Sequence, residues 1–269
     1  MDLGIRDRVA AVGGASSGLG YACALELARE GAKVAIASRD EARIRKAAEA
    51  LRESSPPGTP ASRGEVVAVA ADLASRRGAD EFLACARALG EIDILVVNSG
   101  GPPAGSALEI DEERWRAGFE STFLGPTSLA AGVAPSMRLR GWGRIIFITS
   151  LSVKQPMHEL AVSTVIRSGV AAYSKLLSDE LAASGVTVNC VAPGSIDTDR
   201  LRSLAAHRAS ARGMDTEAML AEMASKIPAR RIGRPEELAA VVAFLASERG
   251  SYVTGAVISV DGGVVRAMT

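Results

Sequence analysis

The chain has 269 residues, 48% of them hydrophobic, and its 31 basic side chains are matched by 31 acidic ones. That is ample material for a large core, and the lack of a net field excludes a general attraction to nucleic acid or to an anionic membrane surface. No apolar run approaches the roughly 18 residues that cross a bilayer, the three cysteines (Cys23, Cys85, Cys190) lack metal-ligand spacing, and the N-terminus does not read as a signal peptide, so a cytoplasmic protein without a metal site is expected.

Short apolar runs alternate with longer segments of helical period. A strand is predicted over 8–14, a helix over 18–31, a strand over 33–38 and a helix over 40–53. The proline-rich 54–64 reads as a loop. Next come a strand over 65–72, a helix over 76–90 and a strand over 92–101. The segment 111–141 reads as a long helix that Pro126 kinks and Pro135 breaks. A strand over 143–152, a helix that begins in "AVSTVIRSGVAAYSK" (161–175) and a strand over 185–194 follow. Residues 199–231 are polar and helical, and a helix over 234–248 and a strand over 255–263 close the chain.

Strands apolar on both sides, each followed by a helix, require a parallel sheet covered on both faces. The expected fold is therefore α/β: one Rossmann-like, doubly wound domain spanning 1–269, with 199–231 as a helical lid. Between the first strand and first helix lies "GGASSGLG" (13–20), which spaces Gly14, Gly18 and Gly20 as GxxxGxG. Glycines there permit a tight turn and let a pyrophosphate approach the backbone N–H groups of a helix N-terminus.

These motifs resemble those of the short-chain dehydrogenase/reductase family, and the likeness runs over nearly the whole chain, nearest to its 3-oxoacyl-carrier-protein reductase branch. "GGASSGLG" is similar to the family's TGxxxGxG loop, with Gly13 where threonine is usual. The resemblance implies a cofactor role for Gly14, Ser16, Ser17, Gly18, Leu19 and Gly20. "AADL" (70–73) implies Asp72 and Leu73 beside the adenine, and "NSGG" (98–101) implies Asn98 and Gly100. "VAPGSIDT" (191–198) resembles the element that contacts the nicotinamide, implying Pro193, Gly194, Ile196 and Thr198. The second strand ends in "ASRD", with Ser38 where an acid would take the adenosine ribose and Arg39 beyond it. A guanidinium can hold a 2′-phosphate, which favours NADP(H). The alternative is NAD(H), with Arg39 turned to solvent and Asp40 on the ribose.

The family's strand-end serine, tyrosine and lysine make a proton donor for the carbonyl oxygen that receives hydride. Ser150 in "IIFITS" fits the serine. The family's spacing then puts Ser163 at the tyrosine position and Arg167 at the lysine position, and the ungapped match of 168–194 gives the same register. Arg167 could still hold the nicotinamide ribose. Tyr173 and Lys175 are two residues apart, so on a helix they project to nearly opposite faces. The family's relay asparagine falls on Thr122. The altered relay leaves room for Lys154, His158 or a bound water as proton donor. The alternative is a nucleotide-binding sensor or partner subunit with little turnover. In the lid, Arg200, Arg202, Arg208, Arg212, Lys226 and Arg230 either draw an anionic substrate, such as a carboxylate or carrier thioester, or form a solvated face. The resemblance also implies a homo-oligomer, a dimer or tetramer, acting on a small-molecule or acyl-thioester substrate.

Overall fold

The computed structural model describes residues 2–102 and 104–267. Seven strands form one sheet: β1 (Val9–Gly13), β2 (Lys33–Ser38), β3 (Val66–Ala70), β4 (Ile92–Asn98), β5 (Gly143–Ile148), β6 (Val186–Pro193) and β7 (Val257–Val260). Their order is β3-β2-β1-β4-β5-β6-β7, and every neighbouring pair is parallel. The order reverses between β1 and β4, which opens a crevice at the carboxyl ends of those strands.

One face of the sheet is covered by α1 (Gly18–Arg29), α2 (Glu41–Ser54) and α9 (Pro235–Ala246); Leu27, Ile44, Leu51, Leu238 and Val242 of these helices pack on Val12, Ile36 and Val96. The other face is covered by α3 (Arg76–Ala86), α5 (Gly125–Arg140) and α6 (Ala161–Leu181), through Phe82, Leu83, Leu129, Val133, Val170 and Leu177. Strands sandwiched this way lose their polar face, which is why β1 and β6 are buried at every position.

Helix starts follow side-chain capping, with a small correction at the second helix. Asp40 is its cap rather than its first residue, accepting from the Arg43 N–H at 2.9 Å. Ser75, Asp111, Thr198 and Asp215 cap α3, α4 (Glu112–Phe119), α7 (Asp199–Ala211) and α8 (Thr216–Ser225) in the same way. The caps of α1 and α6, Ser17 and Leu160, bond no helix N–H through a side chain, and both helices begin at the crevice.

The expectation of a proline break in 111–141 is corrected. The interruption is a π turn over Glu120–Leu124 between α4 and α5. Pro126 stands in the first turn of α5, where no intrahelical N–H is needed. Pro135 lies inside α5, yet the helix continues to Arg140. Burial of Leu129, Val133 and Met137 against the sheet offsets the lost hydrogen bond. The sheet also ends sooner than expected: β4 stops at Asn98 and β5 at Ile148, so the residues beyond are free to turn into the crevice.

The 199–231 segment forms α7 and α8, which share a small core of Ala205, Ala209, Met219 and Leu220. Among the described residues, no helix is long and apolar enough to cross a membrane, and no cluster of His, Cys, Asp or Glu could hold a metal ion.

Candidate active site

A cleft of about 670 Å³ runs along the carboxyl ends of the strands, from β2 to α7. Its volume lies in the range of small-molecule sites. At one end are Gly14, Ser16, Ser17, Gly18 and Leu19 of the loop after β1. Gly14 and Gly18 have φ of 59° and 58°, a region that side chains disfavour. A Cβ on Gly14 would lie 2.3 Å from the Asn98 carbonyl oxygen, and one on Gly20 would lie 2.3 Å from the Gly14 carbonyl oxygen. Asn98 locks the loop from the other side, its Nδ2 donating to the Gly14 carbonyl at 3.0 Å. Gly20 therefore acts behind the loop and is not on the cleft wall. Gly13 is less constrained, since a Cβ there would meet only the movable end of the Leu73 side chain, at 2.9 Å.

The same end is lined by Ser38, Arg39, Asp72 and Leu73. It also holds Arg43, which sequence reasoning missed. Arg43 Nη2 donates to Ser17 Oγ at 3.1 Å, placing a second guanidinium beside the glycine loop. The signal was available: Arg43 sits in the first turn of α2, just past the strand end that carries Arg39. Asp40 lines the cleft too, but its carboxylate is engaged as the α2 cap. Asp72 Oδ1 accepts from the Ala74 N–H at 3.2 Å.

A dinucleotide fits this end. A Cβ at Gly14 or Gly20 would strike a carbonyl oxygen, the first turn of α1 lacks a side-chain cap, and Arg39 and Arg43 line the adjoining wall. Gly14, Ser16, Ser17, Gly18 and Leu19 would hold its pyrophosphate, and Arg39 and Arg43 a 2′-phosphate.

The other end is lined by Gly100, Ser150, Ser163, Arg167, Pro193, Gly194, Ile196 and Thr198. Ser150 Oγ accepts from the Ser152 N–H at 3.2 Å, so its own hydrogen is free for a ligand. Ser163 and Arg167 lie one turn apart on α6 and are both largely buried. Arg167 Nη1 donates to the carbonyls of Ile148 (2.7 Å) and Thr149 (2.8 Å), and Nη2 to that of Ser99 (3.2 Å), tying together the ends of β4 and β5. Burial, and secondarily the charge of Arg200, lowers its pKa to about 10. It remains a cation at neutral pH.

Thr122, on the π turn, is buried behind this wall, and its Oγ1 has no hydrogen-bond partner among the described residues. It borders a cavity of about 10 Å³ shared with Ser99, Thr149 and Arg167. Lys154 and His158 are not on the cleft wall, and His158 is exposed. The turn after Ser150 (Leu151–Val153) carries both away from it. Tyr173 packs edge-on against Phe123 and Phe147, each 6.2 Å away, and burial raises its pKa. Lys175 pairs with Asp179 on the exposed side of α6.

The basic residues of 199–231 mostly face acids. Arg202 pairs with Asp197 and Glu217, Arg208 with Glu159, and Arg212 and Lys226 with Glu222. Arg200 differs. It lines the cleft and donates to the carbonyls of Gly101 and Pro102, at 3.0 Å each.

The comparisons agree with this geometry. A family model described as Enoyl-(Acyl carrier protein) reductase matches residues 14–265. Dehydrogenase/reductase SDR family member 4 of Oryctolagus cuniculus is 31% identical over 96% of this chain and 94% of its own. The 3-oxoacyl-[acyl-carrier-protein] reductase MabA of Mycobacterium tuberculosis is 33% identical over 94% of this chain and 91% of its own. The crystal structure of L-sorbose reductase from Gluconobacter frateurii, complexed with NADPH and L-sorbose, superposes with a TM-score of 0.92 at 34% identity, each chain being covered completely. With its sheet order, glycine cradle and cleft, the chain belongs to the short-chain dehydrogenase/reductase family.

Proposed function

We propose that this chain is an NADP(H)-dependent oxidoreductase that interconverts a carbonyl and a hydroxyl with an altered proton relay. The observation that carries the reading is the pairing of Ser163 and Arg167, one turn apart on α6, in the same cleft wall as Ser150 and beyond an intact dinucleotide cradle. When bound, the nicotinamide supplies or accepts the hydride. The Ser150 hydroxyl donates to the carbonyl oxygen, since its Oγ already accepts from Ser152. The Ser163 hydroxyl offers a second donor. Arg167 cannot pass a proton at neutral pH, but its charge favours the alkoxide oxygen that forms. The proton then comes from water. The unpartnered Thr122 Oγ1 and the adjoining cavity of about 10 Å³, close to the room one water needs, support a water-fed route behind Arg167. Lys154 and His158 lie off the cleft wall, which counts against either as donor.

The second reading is a nucleotide-binding sensor or partner subunit with little turnover. It is favoured by the three main-chain carbonyls that occupy Arg167. Single-turnover mixing with NADPH and a panel of ketones and 3-oxoacyl thioesters separates the two. The oxidoreductase reading expects NADPH oxidation that Ser163→Ala slows by about 10²-fold or more. Tight NADPH binding without oxidation would favour the sensor. The double change Ser163→Tyr with Arg167→Lys is expected to raise the rate. The family likeness further supports a homo-oligomer, and exposed Phe119, Leu124, Val165 and Leu176 on the α4–α6 segment fit a contact with a second copy. Light scattering on the purified protein tests it.

A further inference from the structure

We infer that the substrate carries an anionic oxygen group, a carboxylate on an oxo- or hydroxy-acid, held by Arg200 at the α7 side of the cleft with Arg167 behind it. The inference rests on the oxidoreductase reading for where the substrate lies, but not for whether it turns over.

Two guanidiniums share this end of the cleft, and neither forms an ion pair among the described residues. All their protein partners are main-chain carbonyls. Arg167 uses three of its five N–H donors and Arg200 uses two, so each has donors left to aim at a ligand. Asp199, the acid beside Arg200 on the rim, contacts neither guanidinium.

The placement of Arg200 is also costly by helix physics. Thr198 caps α7, so Arg200 stands in its first turn, where the macrodipole repels a cation. Contact with Gly101 and Pro102 strips water from its head and lowers its pKa, although the residue as a whole stays open to solvent. A Cβ on Gly101 would come within 2.4 Å of Arg200 Nη2, so the glycine makes room for the guanidinium. Two like charges and a helix N-terminus thus share this end of the cleft without an ion pair among the described residues, while Arg202, Arg208, Arg212 and Lys226 of α7 and α8 and their ends are all paired. An oxyanion between them satisfies the spare donors and relieves the repulsion, and the planar fork of Arg200 matches a carboxylate. Leu160, Ile196, Leu201 and Leu204 supply the apolar wall that takes the rest of a small molecule.

The test is calorimetric titration of the NADP+-loaded protein with pyruvate, acetoacetate and levulinate, each against its methyl ester. At least one acid is expected to bind about tenfold or more tightly than its ester, and high salt should erode the gap. In Arg200→Gln the ratio should fall to about one, while Arg202→Gln, whose residue is already paired outside the cleft, should retain it. The proposal is overturned if no acid outbinds its ester, or if the ratio survives in Arg200→Gln. It is also overturned if Arg200→Gln weakens NADP+ itself by about tenfold with the ratio unchanged, since the anion would then be a cofactor phosphate. NADP+ and an oxo acid are both in the oxidised state, so this titration reads binding alone; the oxidoreductase reading is tested separately by mixing the selected acid with NADPH, and failure there leaves the binding result standing.

Discussion

The two ends of the cleft are built by different means. At the β1–β2 end the backbone sets the shape: Gly14 and Gly20 lie so close to carbonyl oxygens that neither position has room for a side chain. At the β5–α7 end side chains do the work, and guanidiniums bonded to main-chain carbonyls line the cleft together with two serines. A backbone cradle tolerates almost no change in sequence. A wall of side chains can exchange its acid–base groups while the fold stays intact.

Gly14→Ala is the strongest way to break that contrast. The new methyl would press on the Asn98 carbonyl and force a side chain into positive φ. NADPH affinity should fall by about 100-fold, the equivalent of roughly 2.7 kcal/mol, in a fluorescence titration. Retained affinity would mean that the loop moves and that the cradle is not rigid.

Arg167→Met probes the opposite end. It strands the carbonyls of Ile148, Thr149 and Ser99 in a buried place, while removing a cation whose own burial is costly. The stranded acceptors should dominate, lowering stability by about 2 kcal/mol in urea unfolding with an unchanged slope. If stability instead holds and NADPH oxidation is lost, the guanidinium serves the reaction more than the sheet.

The same contrast decides what was legible in the sequence. Alternating strands and helices, and a glycine loop after the first strand, are local patterns, and the place of β1, to within one residue at each end, and the start of α1 follow from them. The faces of α6 were also legible, because four residues make a turn and two do not: Ser163 and Arg167 share the cleft, while Tyr173 and Lys175 leave it. Arg43 was not, and Arg200 was named only among several basic residues of 199–231 that the sequence left undistinguished. Each reaches the cleft through a long side chain from a helix start, and direction is set by packing, not by spacing. The π turn at 120–124 was hidden for a related reason. Prolines advertise a kink, but this irregularity arises before Pro126, with Gly118 pressed on Val162 and Gly125 on the Leu73 carbonyl. Lys154 and His158 showed the limit of reasoning from chain order, since a short turn after Ser150 was enough to carry them off the wall.

Arg43→Ala sharpens the nucleotide end. Arg43 is bonded to Ser17 and stands with Arg39 beside the loop. Its loss should weaken NADPH by about tenfold, the worth of one charge-assisted phosphate contact, and leave NADH affinity unchanged. An equal loss for both would assign Arg43 to holding the loop through Ser17 instead.

The smallest effect belongs to the 199–231 segment, where one ion cluster lies wholly within the segment. Glu222 accepts from Arg212 and Lys226, and these contacts lower its pKa to about 2. A carboxylate whose folded pKa lies below its unfolded value, near 4.3, stabilises the folded state at higher pH. That contribution is lost as pH falls from about 4.3 toward the folded value. Because the pair is exposed, solvent screens it and the effect is small. Glu222→Gln should therefore lower the melting temperature slightly at neutral pH, and the difference from the parent should close as the buffer is taken toward pH ~2. A gap that persists in acid would show that Glu222 supports the α7–α8 contact by packing. A large gap at neutral pH would mean that solvent does not screen the Glu222 contacts and that they hold α8 to the end of α7.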